Sequence, residues 1–284
     1  MDIGSFTVEV LSEGHFELFK DGHINRSART SHSGLKPKDP SNSHTAMVGI
    51  NPILVQSGNQ NILLDTGLGW GLDTGSQYTD VSNVCTNLRI FGATPEDITH
   101  VILTHLHYDH AAGSSFTNAE AKTQPTFPNA TYYVHQQEWD FALEQSEGKQ
   151  LSYSERYRLD DFYRLVSDGR VTFLSDDSTE IMEGITVVKT GGHTPGHQIV
   201  MLESGGEKAY YLGDLLPNEY QLNDYSMEKA DIYSLEAKKK KVQLLQQACD
   251  EKALLLFYHS GNGQAGHLFK DEDKKYVLAK QLPL

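Results

Sequence analysis

Residues 105–110 read His-Leu-His-Tyr-Asp-His, three imidazoles and one carboxylate in six positions. Imidazole and carboxylate are the usual ligands of zinc and its first-row neighbours. The hexapeptide follows an apolar run, Val101-Ile102-Leu103. A tight turn leaving a strand there can aim His105 and His107 at one ion, and Asp109 and His110 at a second. Two ions a few ångströms apart can share a hydroxide and clamp both the attacking and the leaving oxygen of a hydrolysis. Histidines also gather by chance on solvated loops, and this chain has 13 of them. It is the full His-x-His-x-Asp-His pattern behind a hydrophobic strand that points to metal, rather than any single His-x-His.

Two ions need more donors, since catalytic zinc takes three protein ligands and keeps one position open. His193 lies in Gly191-Gly192-His193-Thr194-Pro195-Gly196-His197, where glycine lets the backbone approach a site closely. Asp214 follows Tyr210-Tyr211-Leu212-Gly213, and a carboxylate there could bridge two ions. His259 follows Leu255-Leu256-Phe257-Tyr258. All three stand near the ends of apolar runs, where side chains are held rigidly yet stay accessible. Singly, each has a purely structural explanation. His193 or His197 could cap its turn, Asp214 could be an N-cap or Asx-turn residue, and His259 could be a core imidazole. Together they complete two ligand sets.

The elements that must position these groups follow from apolar patterning. Strands are predicted over 6–11, 16–19, 47–55 and 61–64, with turns at Asp21-Gly22 and Gly58-Asn59. Residues 26–45, rich in Ser, Lys, Pro, Asn and His, read as a long surface loop. Asp65-Thr66-Gly67 ends a strand, with glycines following at 69, 71 and 75. A helix is predicted over 80–91 and a helix start at Thr94-Pro95. A strand over 99–103 feeds the metal motif, another covers 131–134, and helices cover 136–143 and 152–165. Later strands are predicted over 181–189, 198–202, 209–212 and 254–258. An amphipathic helix covers 234–250, and its lysines 238–241 read as a solvated face. Two groups of strands, each with helices and no linker between, predict an α/β fold of two sheets packed face to face inside one domain.

The chain has 284 residues, 38% hydrophobic and 22% charged, the composition of a globular protein. A net charge of −14 repels phosphate backbones and argues against a nucleic-acid partner. It does not exclude a local positive site, because bound dications invert the field around them. Two cysteines, Cys85 and Cys249, are too few for a disulfide framework and are expected to pack as small apolar groups. Met1-Asp2-Ile3-Gly4-Ser5 lacks the basic and apolar regions of a signal peptide, and no apolar run approaches the roughly 18 residues of a membrane span. A cytoplasmic protein without a membrane partner is the expectation, and a homodimer is expected from the frequency of two-fold assemblies.

The ordered set of Asp65, His105-x-His107-x-Asp109-His110, His193, Asp214 and His259 resembles the metallo-β-lactamase-fold hydrolases over nearly the whole chain. The resemblance implies a four-layer αββα sandwich over 1–284, with a dinuclear site along one edge of the two sheets. It assigns His105, His107 and His193 to one ion, and Asp109, His110 and His259 to the other. Asp214 bridges them, and Asp65 and His197 orient ligands. Phe127-Pro128-Asn129-Ala130 followed by Glu138-Trp139, Asp214-Leu215-Leu216-Pro217, and the spacing from His259 to Gly266-His267 are similar to one branch. That branch holds quorum-quenching N-acyl-homoserine lactonases and methyl parathion hydrolases. Two features depart from it. The small lactonases carry a substrate-contacting tyrosine three residues after the bridging aspartate; here that residue is Pro217, with Tyr220 and Tyr108 as alternatives. The proline-rich turn after the last ligand histidine is replaced by Ser260-Gly261-Asn262-Gly263.

The expected cofactors are two zinc ions, although a His/Asp donor set also accepts manganese, iron or cobalt. Water on zinc loses a proton near neutral pH. The expected reaction is attack of a metal-bridging hydroxide on the carbonyl of an N-acyl-homoserine lactone or similar small neutral ester. Asp109 or a metal-bound water shuttles the proton. Phe141, Tyr153, Tyr157 and Phe162 could line an acyl channel, but read more readily as core residues of their helices. A phosphotriesterase or general esterase on the same site is the alternative within enzymes. A non-catalytic metal-stabilised binding protein is the alternative outside them, and the complete ligand set argues against it. Glutathione thioesters would call for a basic cluster, and an oxygen or nitric oxide reductase for a flavin domain; neither is visible.

Overall fold

Alternate side chains of the inner strands enter two different cores, and this partition sets the layer order. The computed structural model describes residues 1–19, 24–26, 44–69, 83–118, 120–147, 157, 159, 162–225, 231–261 and 264–280. The first half contains β1 (Asp2–Ile3), β2 (Phe6–Val10), β3 (Gly14–Phe19), β4 (Ile24–Arg26), β5 (His44–Ile50), β6 (Ile53–Ser57) and β7 (Gln60–Leu64). It continues with helix α1 (Val84–Ile90), β8 (His100–Ile102), the short helix α2 (Tyr108–Ala111), β9 (Ser115–Thr117), β10 (Thr123–Pro125), β11 (Thr131–His135) and α3 (Gln136–Glu147). Then come α4 (Phe162–Ser167), β12 (Val171–Leu174), β13 (Ser178–Met182), β14 (Ile185–Lys189), β15 (Gln198–Ser204), β16 (Glu207–Tyr211), α5 (Ser234–Asp250), β17 (Leu254–Leu256), β18 (Ala265–Lys270) and β19 (Tyr276–Lys280).

One seven-stranded sheet runs β1-β2-β6-β7-β8-β11-β12, the other β13 through β19 in order, and β4-β3-β5 form a smaller three-stranded sheet. Parallel neighbours occur where a helix or long connection crosses over: β7 with β8, β8 with β11, β11 with β12, and β16 with β17. Ile62, Leu64 and Ile102 of the first sheet meet Val187, Val200, Tyr211, Leu254 and Leu256 of the second in the central core. Their neighbours Leu63, Val101 and Leu103 face outward onto Leu88, Trp139, Phe162 and Leu165 of the helices. On the opposite side Tyr210 and Leu255 pack against Leu245 and Ala248 of α5. The result is helix, sheet, sheet, helix: the αββα sandwich. No helix among the described residues is long and apolar enough to cross a membrane.

Several elements differ from their sequence expectation. The run 47–55 is two strands in two sheets, because Asn51-Pro52 interrupts it and proline cannot continue a ladder. The run 181–189 is the end of one hairpin arm and the whole of the other, turned at Gly184 with φ +78°. Strands β12, β18 and β19 carry weak alternation and were not expected. Thr94-Pro95 starts only one 3₁₀ turn, Pro95–Asp97. Helix α1 begins at Val84 behind an Asn83–Thr86 capping box, and residues 80–82 lie outside the described residues. Of the helix expected over 152–165, Tyr157 and Leu159 are described and lie outside any helix, and α4 begins only at Phe162. The turn at Asp21-Gly22, residues 27–43 of the expected loop, Gly71, Gly75 and Tyr153 also lie outside. The lysine run is not uniformly solvated: Lys241 is buried, its Nζ donating to the Asp224 carbonyl. Cys85 and Cys249 are free thiols.

Candidate metal centre

Five strands end at one edge of the sandwich, and each delivers a polar residue just past its last ladder position. Asp65 follows β7, His105 follows β8, His193 follows β14, Asp214 follows β16 and His259 follows β17. Asp65 takes a left-handed backbone conformation, φ +56°, which aspartate tolerates better than most residues. Its buried carboxylate accepts hydrogen bonds from Thr104 N at 2.7 Å, Thr104 Oγ1 at 2.9 Å and Tyr211 OH at 2.8 Å. It also lies 2.8 Å from His110 Nδ1. A carboxylate only accepts, so Nδ1 carries the proton and Nε2 presents its lone pair to the site.

The imidazoles form two groups. In the first, His107 Nδ1 is 2.9 Å from His105 Nε2 and 3.2 Å from His193 Nε2. Asp214 Oδ2 lies 3.3 Å from His193 Nε2 and 3.9 Å from His105 Nε2. In the second, His110 Nε2 is 3.3 Å from His259 Nε2, and Asp109 Oδ2 is 3.4 Å from His259 Nε2 and 3.8 Å from His110 Nε2. Asp214 Oδ1 stands 3.2 Å from both His110 Nε2 and His259 Nε2. One carboxylate therefore turns one oxygen to each group.

These separations match a metal polyhedron. Zinc–nitrogen bonds of about 2.0–2.1 Å place tetrahedral ligand atoms about 3.3 Å apart. Asp214 Oδ1 is buried without a hydrogen-bond partner, a costly state unless a cation satisfies it. Converging lone pairs, a buried orphan oxygen and an all-imidazole-and-carboxylate donor set fit divalent metal. The electrostatics agree. Burial, with His110 and His107 nearby, pushes His105 well below the usual histidine range. Burial opposes protonation of His110 too, but Asp214, Asp109 and Asp65 lift it well above that range. His259 is raised, again against burial, by Asp214 and Asp109. Asp214 is held well below the carboxylate range by His259, His110 and His193, which outweigh its burial. The cluster is built to hold positive charge.

The outer nitrogens of these rings are anchored, which fixes tautomer and orientation. His105 Nδ1 meets Thr104 Oγ1 at 3.0 Å, His193 Nδ1 meets Asp231 Oδ1 at 3.0 Å, and His259 Nδ1 donates to the Gly49 carbonyl at 2.9 Å. His197 stands behind both groups. Its Nε2 accepts from Asp214 N at 3.1 Å and its Nδ1 lies 2.7 Å from Thr190 Oγ1, so it sets the backbone of Asp214. A Cβ on Gly213 (φ +51°) would come within 2.8 Å of that Nε2. All seven residues expected as ligands, and both expected to orient them, thus meet in one place.

Sequence reasoning missed Asp231, Thr104 and Thr190. Asp231 sits just before a helix, where aspartate is ordinarily read as a cap, and no pattern links it to His193 across 38 positions. The position taken by Pro217 does different work here, its carbonyl accepting from His259 N at 2.8 Å. Tyr220 is 75% exposed and Tyr108 packs partly into the central core. Phe162 and Tyr157 are core residues and Phe141 packs against them.

Residues 47–248 match the family model of the metallo-beta-lactamase superfamily. An N-acyl homoserine lactonase from Bacillus sp is 26% identical over 165 residues, covering 53% of this chain. The chain spans 57% of the length of that curated relative. A "probable metal-dependent hydrolase" from Staphylococcus aureus superposes over 100% of both chains with a TM-score of 0.75 at 24% identity. AidC, a dizinc quorum-quenching lactonase in complex with a product, superposes with a TM-score of 0.73 at 20% identity, covering 100% of this chain and 97% of its own. These likenesses establish the shared fold, and the family match spans most of the sandwich and all but one of the seven converging histidines and aspartates: the chain belongs to the metallo-beta-lactamase superfamily.

Proposed function

We propose that this chain is a dinuclear metal-dependent hydrolase that opens the ring of N-acyl-homoserine lactones or similar neutral lactones. The observation that carries the reading is the divided Asp214 carboxylate, with Oδ2 toward His193 and Oδ1 toward His110 and His259. In this reading His105, His107 and His193 hold one ion, and Asp109, His110 and His259 hold the other. Asp214 serves both, and zinc is the expected metal. Bound there, divalent ions supply a water that ionises near neutral pH and a Lewis acid for the scissile carbonyl.

The chain's own groups do the rest. Asp109 turns Oδ2 toward His259; its carboxylate takes the proton of the attacking water and returns it to the leaving alkoxide. Asp65, Asp231 and the Gly49 carbonyl keep three imidazoles in their ligating tautomers. The lactonase relatives support the substrate class, and a net charge of −14 favours a neutral ester over an anion.

The test is kcat/KM for N-hexanoyl-homoserine lactone with zinc-loaded protein, beside His107→Ala. A value of about 10⁴ M⁻¹s⁻¹ or more, lost in the variant together with metal, is the expected result. Turnover orders of magnitude lower from protein carrying both ions refutes the lactone assignment and redirects the search to phosphotriesters and other esters. His107→Ala with both metals and full rate refutes the ligand assignment.

A further inference from the structure

We propose that Glu138 is a positioning residue for only one of the two metal sites, that of His105, His107 and His193; the proposal rests on the two-site reading above. Glu138 lies in the first turn of α3 and is fully buried. Its Oε1 accepts from Leu106 N at 3.0 Å, and its Oε2 accepts from the Thr194 hydroxyl. Leu106 is the residue between His105 and His107, and Thr194 is the residue after His193. One carboxylate therefore joins the two turns that carry all three imidazoles of the first group. Among the described residues, Glu138 makes no hydrogen bond to α2, which carries Asp109 and His110, or to the turn of His259.

The packing agrees. Gly196 presses its turn against the start of α3 so closely that a Cβ there would lie 2.1 Å from Glu138 N. A buried carboxylate is costly to desolvate and an apolar side chain would fill the space at less cost. What only an acceptor pair provides is a simultaneous hold on two donors from two separate turns. Partners of this kind, one step behind the ligands, typically govern metal affinity by about 10–100-fold.

Glutamine can keep the bridge. Its carbonyl accepts from Leu106 N, and its amide donates to a Thr194 hydroxyl that has rotated. Alanine cannot. The experiment titrates zinc into wild-type, Glu138→Ala and Glu138→Gln proteins against a chromophoric chelator, and records the visible spectra of the cobalt-loaded forms. Expected are two tightly held ions in wild type and one ion weakened about 10–100-fold in Glu138→Ala, with the second unchanged and near-complete recovery in Glu138→Gln. The one-cobalt spectrum of Glu138→Ala should match that of His193→Ala and differ from that of His259→Ala.

Thr194→Val, which removes one donor and leaves the carboxylate in place, is measured in parallel. It should weaken the same ion, and it decides the matter should Glu138→Ala not fold. Equal weakening of both ions, or wild-type affinity for both in the variant, overturns the assignment. Wild-type protein that takes up fewer than two ions overturns the two-site reading, and this proposal with it.

Discussion

Asp65→Asn separates the tautomer of one imidazole from the presence of its ring. Asp65 gathers four donors: Thr104 N, Thr104 Oγ1, His110 Nδ1 and Tyr211 OH. Alanine at this position strands all four in the interior. At about 1–3 kcal/mol for each unsatisfied donor the loss approaches the whole stability of a typical domain, about 5–15 kcal/mol, and reports only on folding. Asparagine keeps the shape. Its carbonyl can continue to accept from Thr104 N, which places an NH₂ where Oδ2 was. That NH₂ has two hydrogens, and a hydroxyl of Thr104 or Tyr211 rotates to accept one. His110 can do so only by moving its proton from Nδ1 to Nε2, and a protonated Nε2 cannot ligate. The ion of Asp109, His110 and His259 should therefore weaken by about 10–100-fold, or about 1.4–2.7 kcal/mol, while the ion of His105, His107 and His193 changes less. Chelator competition with zinc measures both constants. Asp65→Asn protein that is folded and binds both ions with wild-type affinity would refute tautomer control.

Two further outcomes follow from the same geometry. Gly196→Ala forces a methyl group against the Glu138 backbone and should cost about 1–3 kcal/mol in urea unfolding; an unchanged midpoint would contradict the close approach. Zinc uptake should release protons. His110 and His259 have raised pKa values, so below those values they carry protons that a ligating nitrogen must lose. Apparent affinity should accordingly fall as pH drops through that range and level off above it. Calorimetry in two buffers of different ionisation enthalpy counts the protons, and equal heats in both would contradict the raised values.

The convergence of these histidines and aspartates was legible because they are local or follow apolar runs. His105 to His110 lie within six residues, and His193, Asp214 and His259 each follow a run that reads as a strand. Two face-to-face sheets were legible from two groups of strands with helices, and the αββα order from the family resemblance; in the structure Leu63 and Val101 alternate with Ile62, Leu64 and Ile102 between two cores. What was illegible is non-local or locally ambiguous. Asp231 reaches His193 only after the chain has passed through two strands and back. Glu138 could be seen as a family marker, but nothing near it in sequence says that its partners are Leu106 and Thr194. Lys241 looks like its three lysine neighbours until helix packing turns it toward Asp224. Strands β18 and β19 pair through weakly alternating segments whose register depends on the sheet they join.

The centre itself is most directly tested by diffraction from zinc-loaded crystals, with data collected on both sides of the zinc absorption edge. Two anomalous peaks are expected, one among His105, His107 and His193 and one among Asp109, His110 and His259, with an oxygen of Asp214 on each. A single peak, or two peaks that do not share Asp214, would contradict the bridged dinuclear centre.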